Sequence, residues 1–181
     1  MKSAGIVRRI DDFGRVVIPK EIRRRLKIRE GDPLEVYTEK DGEVVLRKYS
    51  PLGEMKFFVK QYAEALAAEM GHLVCITDRD EILAASGSNS REFQDKIITK
   101  ELEVIMDKRR IISVESSQVN FVNIIDNQNG YCEEIIGPII TEGDVVGSVV
   151  VLNKDASRQL GDVEMKLVSC AISFLGKQFE G

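Results

Sequence analysis

The chain has 181 residues, of which 43% are apolar and 31% charged, with a formal net charge of −4. That is an ordinary soluble composition, enough for one large domain or two small ones. It excludes a membrane span, since the longest apolar run, Val145 to Leu152, is interrupted by Gly147 and Ser148. It also argues against a disulfide framework: the three cysteines follow no paired or metal-type spacing.

In chain order, Gly5 to Ile10 is strand-like, Asp11-Asp12-Phe13-Gly14 is a turn, and Arg15 to Ile18 is a second short β-branched run. Pro19 sits where a helix would begin, and Lys20 to Lys27 continues as a short helix with Ile22 and Leu26 on one face. Gly31-Asp32-Pro33 turns the chain. Leu34 to Thr38 and Glu43 to Arg47 then form a hairpin through Glu39 to Gly42. Four strands and one helix in under fifty residues bury too little apolar surface to stand alone, so a second copy is the simplest partner.

Ser50-Pro51-Leu52-Gly53 has linker composition, and Phe58, Tyr62, Leu66 and Met70 then recur every four residues up to a stop at Gly71. Leu73 to Thr77 and Glu81 to Ala85 read as a hairpin. Helical periodicity covers Glu92 to Lys108, broken near Ile98-Thr99. Ile111 to Glu115, Phe121 to Ile125, Glu134 to Ile140 and Val145 to Asn153 are strands, and Asp162 to Phe179 is a terminal helix. That helix carries two apolar faces: Val163, Leu167, Cys170, Ala171 and Phe174 on one, Val168, Ile172, Leu175 and Phe179 on the other. Either a second partner, for which the Phe58/Tyr62/Leu66 stripe is a candidate, or a single broad stripe accounts for them. The fold class is α+β with an antiparallel sheet. Cys75 and Cys170 are expected to be small buried hydrophobes, and His72 a surface or satisfied histidine.

Charge is distributed unevenly. Met1 to Ser50 holds 13 Lys+Arg against 9 Asp+Glu, net +4; the remainder holds 13 against 21, net −8. A basic segment joined to an acidic one is the pattern of a nucleic-acid-binding module on a neutral or acidic body. Enzymatic readings fail on inventory. With one histidine and no carboxylate pair, nucleophile elbow or P-loop spacing, no catalytic residue, metal or cofactor is expected. The charged N-terminus lacks the apolar core of a signal peptide, so a cytoplasmic location is expected.

The run from Gly5 through Gly14-Arg15-Val16-Val17-Ile18-Pro19 to Arg24 closely resembles the AbrB-type swapped-hairpin DNA-binding domain, over roughly Met1 to Lys48. The resemblance implies two chains exchanging hairpins into one β-barrel-like dimer that presents arginines to double-stranded DNA. By position those arginines are Arg8, Arg15, Arg23 and Arg24, with Arg9 and Lys2 close enough to help. Arg8 and Arg9 would point to opposite faces of a strand, while Arg8 and Arg15 flank the turn and can converge. Symmetry would double these guanidiniums, whose planar forks suit phosphate. Without a long recognition helix, the shape and deformability of the DNA should count for more than base-edge reading.

The second segment resembles a GAF-type sensory domain, with Gly147-Ser-Val-Val-Val-Leu-Asn153-Lys154 as its best marker. Together the two parts resemble AbrB-type sporulation regulators with a C-terminal GAF domain. That resemblance implies a tetramer joined through GAF domains and helices, and both activation and repression of sporulation genes. Expected domains are 1–50 for DNA binding, 51–71 as linker and helix, and 72–181 as the GAF-like part. An unknown small-molecule ligand and a purely structural GAF domain both stay open; Ser86 to Ser90 is a polar loop that could gate a pocket. A rival reading is an antitoxin-like protein, which shares the swapped hairpin but carries a short disordered tail. The periodicity of Met55 to Gly181 separates the two.

Overall fold

The computed structural model describes residues 5–40 and 42–179, and its chain divides into two units, Met1–Tyr49 and Ser50–Gly181.

In the first unit, Pro19 precedes helix α1 (Lys20–Arg25), one residue later than the sequence suggests. The helix ends in a Schellman motif: the Ile28 amide donates to the Arg23 carbonyl at 2.8 Å and the Lys27 amide to that of Arg24 at 3.3 Å. Lys27 takes the left-handed conformation, φ 53°, that such an end needs and that glycine adopts most readily. Strands β1 (Leu34–Thr38) and β2 (Val44–Lys48) form an antiparallel hairpin with Val36 opposite Leu46. Asp32 ties the preceding turn to that hairpin, accepting from the Arg29 amide at 2.8 Å and meeting the Lys48 ammonium at 3.1 Å.

Two expected strands are missing from this unit. Gly5 to Ile10 and Arg15 to Ile18 form no ladder among the described residues. A strand exists through its hydrogen-bonded neighbour, and the described part of the first unit offers these segments no edge in register. Their apolar side chains lie open: Val7 is 89% exposed, Phe13 82% and Val17 74%.

The second unit begins with a correction. Ser50 to Gly53 is not a linker: Ser50 Oγ accepts the Gly53 amide at 3.1 Å and caps a short helix α2 (Pro51–Glu54), whose Leu52 is fully buried. Helix α3 (Lys56–Met70) comes next and stops at Gly71, which is left-handed with φ 69°. It buries Val59, Ala63, Leu66, Ala67 and Met70 in the core of this unit.

Five strands form one antiparallel sheet in the order β4-β3-β7-β6-β5. These are β3 (Leu73–Thr77), β4 (Ile82–Ser86), β5 (Ile112–Glu115), β6 (Glu133–Thr141) and β7 (Asp144–Asn153). The β3–β4 turn is held by the Asp78 carboxylate, which accepts the Asp80 and Glu81 amides at 2.7 and 2.8 Å. Sheet residues are buried on both faces because both are covered. One face, carrying Val74, Ile76, Ile135, Ile139, Val149 and Val151, packs on α3 and on the terminal helix α5 (Asp162–Gln178). The other, with Cys75, Ile136, Val150 and Leu152, is covered by α4 (Lys100–Asp107) and the irregular chain around Phe93, Ile124 and Tyr131.

Two further expectations change. The pattern from Glu92 breaks near Thr99 as anticipated, and Thr99 caps α4 by accepting the Leu102 amide at 3.3 Å. The stretch before it, however, is a 3-10 turn over Ser90–Glu92 and a bridge from Glu81 to Ile97. Phe121 to Ile125 is not a strand. Its amides at Val122 and Ile124 bond to the side chains of Glu134 and Gln128, both at 2.9 Å, in place of a ladder. On α5 the Val168/Ile172/Leu175 face packs on the sheet. Val163, Cys170 and Phe174 of the other face are exposed, so Cys170 is not a core residue, unlike the fully buried Cys75. The Tyr62 ring lies 5.4 Å from that of Phe174, and Phe58 6.1 Å from it, so the α3 stripe does meet the outer α5 face within one chain.

Candidate nucleic-acid interface

Asp11 organises the turn that carries Arg15. Its Oδ1 accepts the Phe13 and Arg15 amides at 3.0 and 2.9 Å, and its Oδ2 meets Arg15 Nε at 2.7 Å. The backbone closes the same loop, with the Asp11 amide donating to the Arg15 carbonyl at 3.1 Å. Gly14 sits at φ 75°, a conformation that asks for glycine at this tight point. The backbone hydrogen bond from Arg15, then its guanidinium, hold the Asp11 carboxyl below its usual range. Phe13 lies under the Arg15 guanidinium, 4.9 Å from ring centroid to the central carbon. Arg15 thus has one donor engaged and an exposed fork whose orientation is set in advance, which lowers the ordering cost of meeting a phosphate.

Arg8, Arg9 and Arg24 are exposed and Arg23 is half-buried. Arg23 and Arg24 fall in the last turn of α1, where cations complement the helix dipole. Lys2 lies outside the described residues. Asp11, in sequence only a turn residue, is the group that fixes Arg15. An acidic residue four positions before an arginine across a glycine turn was its signal.

In the second unit the sheet carries a buried carboxylate that sequence reasoning passed over. Glu134 is buried on β6, and that burial pushes its carboxyl up to about 8. Its signal was a carboxylate at an inward position of an otherwise apolar strand. His72 is buried rather than superficial, and its Nε2 has no hydrogen-bond partner. Burial, then the neighbouring Arg158, lower its pKa. Among the described residues no cluster of three or more His, Cys, Asp or Glu side chains can hold a metal, and no helix is long and apolar enough to cross a membrane.

The family model for the C-terminal part of stage V sporulation protein T, described as a transcription factor, matches residues 54–180. The chain belongs to the stage V sporulation protein T family. Stage V sporulation protein T of Bacillus subtilis (strain 168) is 50% identical to it over 182 residues, covering 99% of each chain. The first unit matches a second model, that of the MazE bacterial antitoxin, over residues 7–53. The same region is 57% identical over 51 residues to the transition state regulatory protein AbrB of Bacillus subtilis (strain 168), covering 28% of this chain and 52% of that one. The first unit is therefore an AbrB-type domain. The second is GAF-like in fold. It resembles the GAF domain of an Acinetobacter phosphoenolpyruvate-protein phosphotransferase with a TM-score of 0.58 at 14% identity, covering 73% of this chain and 83% of the other.

Proposed function

We propose that this family member is a transcription regulator that binds double-stranded DNA and controls sporulation genes, activating some and repressing others in the cytoplasm. The observation that carries this reading is the arginine set of an AbrB-type unit, exposed except for the half-buried Arg23, with Arg15 oriented by Asp11. Arg8, Arg15, Arg23 and Arg24 contact phosphates and groove edges, with Arg9 and Lys2 assisting. Two first units, residues 1–50, exchange hairpins into the dimer that covers Val7, Phe13 and Val17. Residues 51–181 hold dimers together as a tetramer through the GAF-like part and its helices, and respond to a small ligand. The exposed Val163, Cys170 and Phe174 face of α5 supports that assembly. The antitoxin reading fits the match over 7–53 but not the second unit, which is a packed two-sided sheet rather than a short tail.

The test is DNA binding as a function of salt. Log affinity should fall linearly with log salt at about −0.9 per phosphate neutralised. Arg15→Ala should weaken binding at least about tenfold and flatten that slope by about 1.8, one phosphate per subunit of a pair. Light scattering should show its oligomer size unchanged. A salt-independent complex, or an Arg15→Ala protein binding like the parent, overturns the reading.

A further inference from the structure

The chain holds one Asn-Gly dipeptide, Asn129-Gly130. In such a pair the asparagine side-chain carbon and the next amide nitrogen can close a five-membered ring, and glycine has no Cβ to stand over that nitrogen. Here the pair is open to solvent. Asn129 and Gly130 are both exposed, Gly130 lies at φ 79°, and a Cβ placed on it would meet no atom within 4 Å. Among the described residues no backbone carbonyl accepts the Gly130 amide, so the nitrogen is accessible to water and base. The Asn129 side chain is held by an exposed hydrogen bond from Nδ2 to the Asn127 carbonyl at 2.9 Å, which water can replace at little cost.

The other asparagines lack this combination. Asn89, Asn120, Asn123 and Asn127 are exposed, but Ser90, Phe121, Ile124 and Gln128 follow them, and those side chains crowd the attacking nitrogen. Asn153 is buried, and its Nδ2 is taken by Glu133 and by the Asp155 and Arg158 carbonyls.

The place in the fold gives the reaction a consequence. On one side Gln128 is anchored, its Oε1 accepting the Ile124 amide at 2.9 Å. On the other, the Cys132 amide donates to the Asn153 carbonyl at 2.8 Å. Only Asn129, Gly130 and Tyr131 lie between, and the Tyr131 ring is itself packed edge-on against Phe93 at 5.6 Å. So short a span has little slack.

We propose that Asn129 is a modification site at which the second unit ages by intramolecular deamidation. The Gly130 nitrogen gives its proton to base and bonds to Asn129 Cγ. The Cγ–Nδ2 bond breaks and ammonia leaves, carrying that proton, so a succinimide remains. Water then opens the ring, and no oxidant or reductant is consumed. Opening at Cγ leaves aspartate. Opening at the main-chain carbonyl leaves isoaspartate, whose backbone runs through the side chain and is longer by one carbon–carbon bond, about 1.5 Å. The longer chain does not fit between the two anchors, so the cover over Phe93, Ile124 and Tyr131 loosens.

The full chain is tested by incubation at body temperature in mildly alkaline and in mildly acidic buffer. Samples taken over days are mapped as peptides by mass spectrometry and chromatography, which separate amide from acid and isoaspartate from aspartate. Residue 129 should convert before any other asparagine, several-fold faster in the alkaline buffer, with isoaspartate the larger product. The melting midpoint of the second unit should fall as isoaspartate accumulates. Asn129→Gln, whose longer side chain closes a larger ring slowly, should hold its midpoint through the same incubation. Freshly prepared Asn129→Asp should melt like the parent, since a charge at an exposed position without a longer backbone costs little. An intact Asn129 beside another converted asparagine overturns the proposal, as does conversion no faster in alkali. A midpoint that falls equally in the parent and in Asn129→Gln places the ageing elsewhere and overturns it too.

Discussion

The two units bury their apolar side chains to very different degrees. The Ser50–Gly181 unit covers both faces of its sheet with its own helices and loops, so that every residue of β3 is buried. The Met1–Tyr49 unit leaves Val7, Ile10, Phe13 and Val17 open, and buries no residue of α1. A segment that rich in β-branched residues is built to be covered, and its own chain offers too little to cover it. One unit covers its core within a single chain; the other leaves its apolar side chains open. The proposed function divides along the same line, with the DNA surface made by pairing.

Substitutions can break that contrast. Among losses of apolar atoms the largest effect belongs to Leu52→Ala, which should cost the second unit about 3 kcal/mol because Leu52 is fully buried in its core. Calorimetry should show that unit melting lower, and an unchanged midpoint would mean that α2 is not part of the core. Next come Val16→Ala and Val17→Ala. Neighbours on a strand face opposite ways, so pairing should make one of the two cost about 1.5 kcal/mol per chain and the other little. Two neutral results would mean that this surface stays open.

A third test, read as a change with pH, sharpens the picture of the second unit. Glu134 has a folded pKa of about 8 against 4.5 for the free group, because its charged form is poorly solvated where it lies. Its contribution to stability is therefore complete below about 4.5 and is lost as pH rises towards about 8. Glu134→Gln keeps an acceptor for the Val122 amide without titrating. The variant's stability relative to the parent should climb across that window and then level off, as read from denaturant midpoints at several pH values. A flat difference would mean that Glu134 is solvated.

Much of this was legible in the sequence where structure is local and periodic. The hairpins β1–β2, β3–β4 and β6–β7 follow from strand runs and turn residues, and the break near Ile98-Thr99 shows in the helical periodicity. Legibility failed where a side chain replaced a ladder. Phe121 to Ile125 has strand composition, yet its amides are taken by Gln128 and Glu134, a choice no period can show. Ser50-Pro51-Leu52 has a linker's composition but is anchored by a serine cap and one leucine. Cys170 fits an apolar pattern but falls on the outer face of α5, because the sheet takes the Val168/Leu175 side. Among the proposed DNA contacts, the arginines were visible through the motif. The Asp11 clamp on Arg15 left only a faint signal, the i, i+4 spacing across Gly14, because it depends on how the turn closes.

The most direct measurement is the solution mass and thermal unfolding of residues 1–50 alone, at several protein concentrations. If the DNA surface is made by pairing, the mass is that of two chains and the melting midpoint rises with concentration, since folding and pairing are one event. A folded monomer with a concentration-independent midpoint would contradict it.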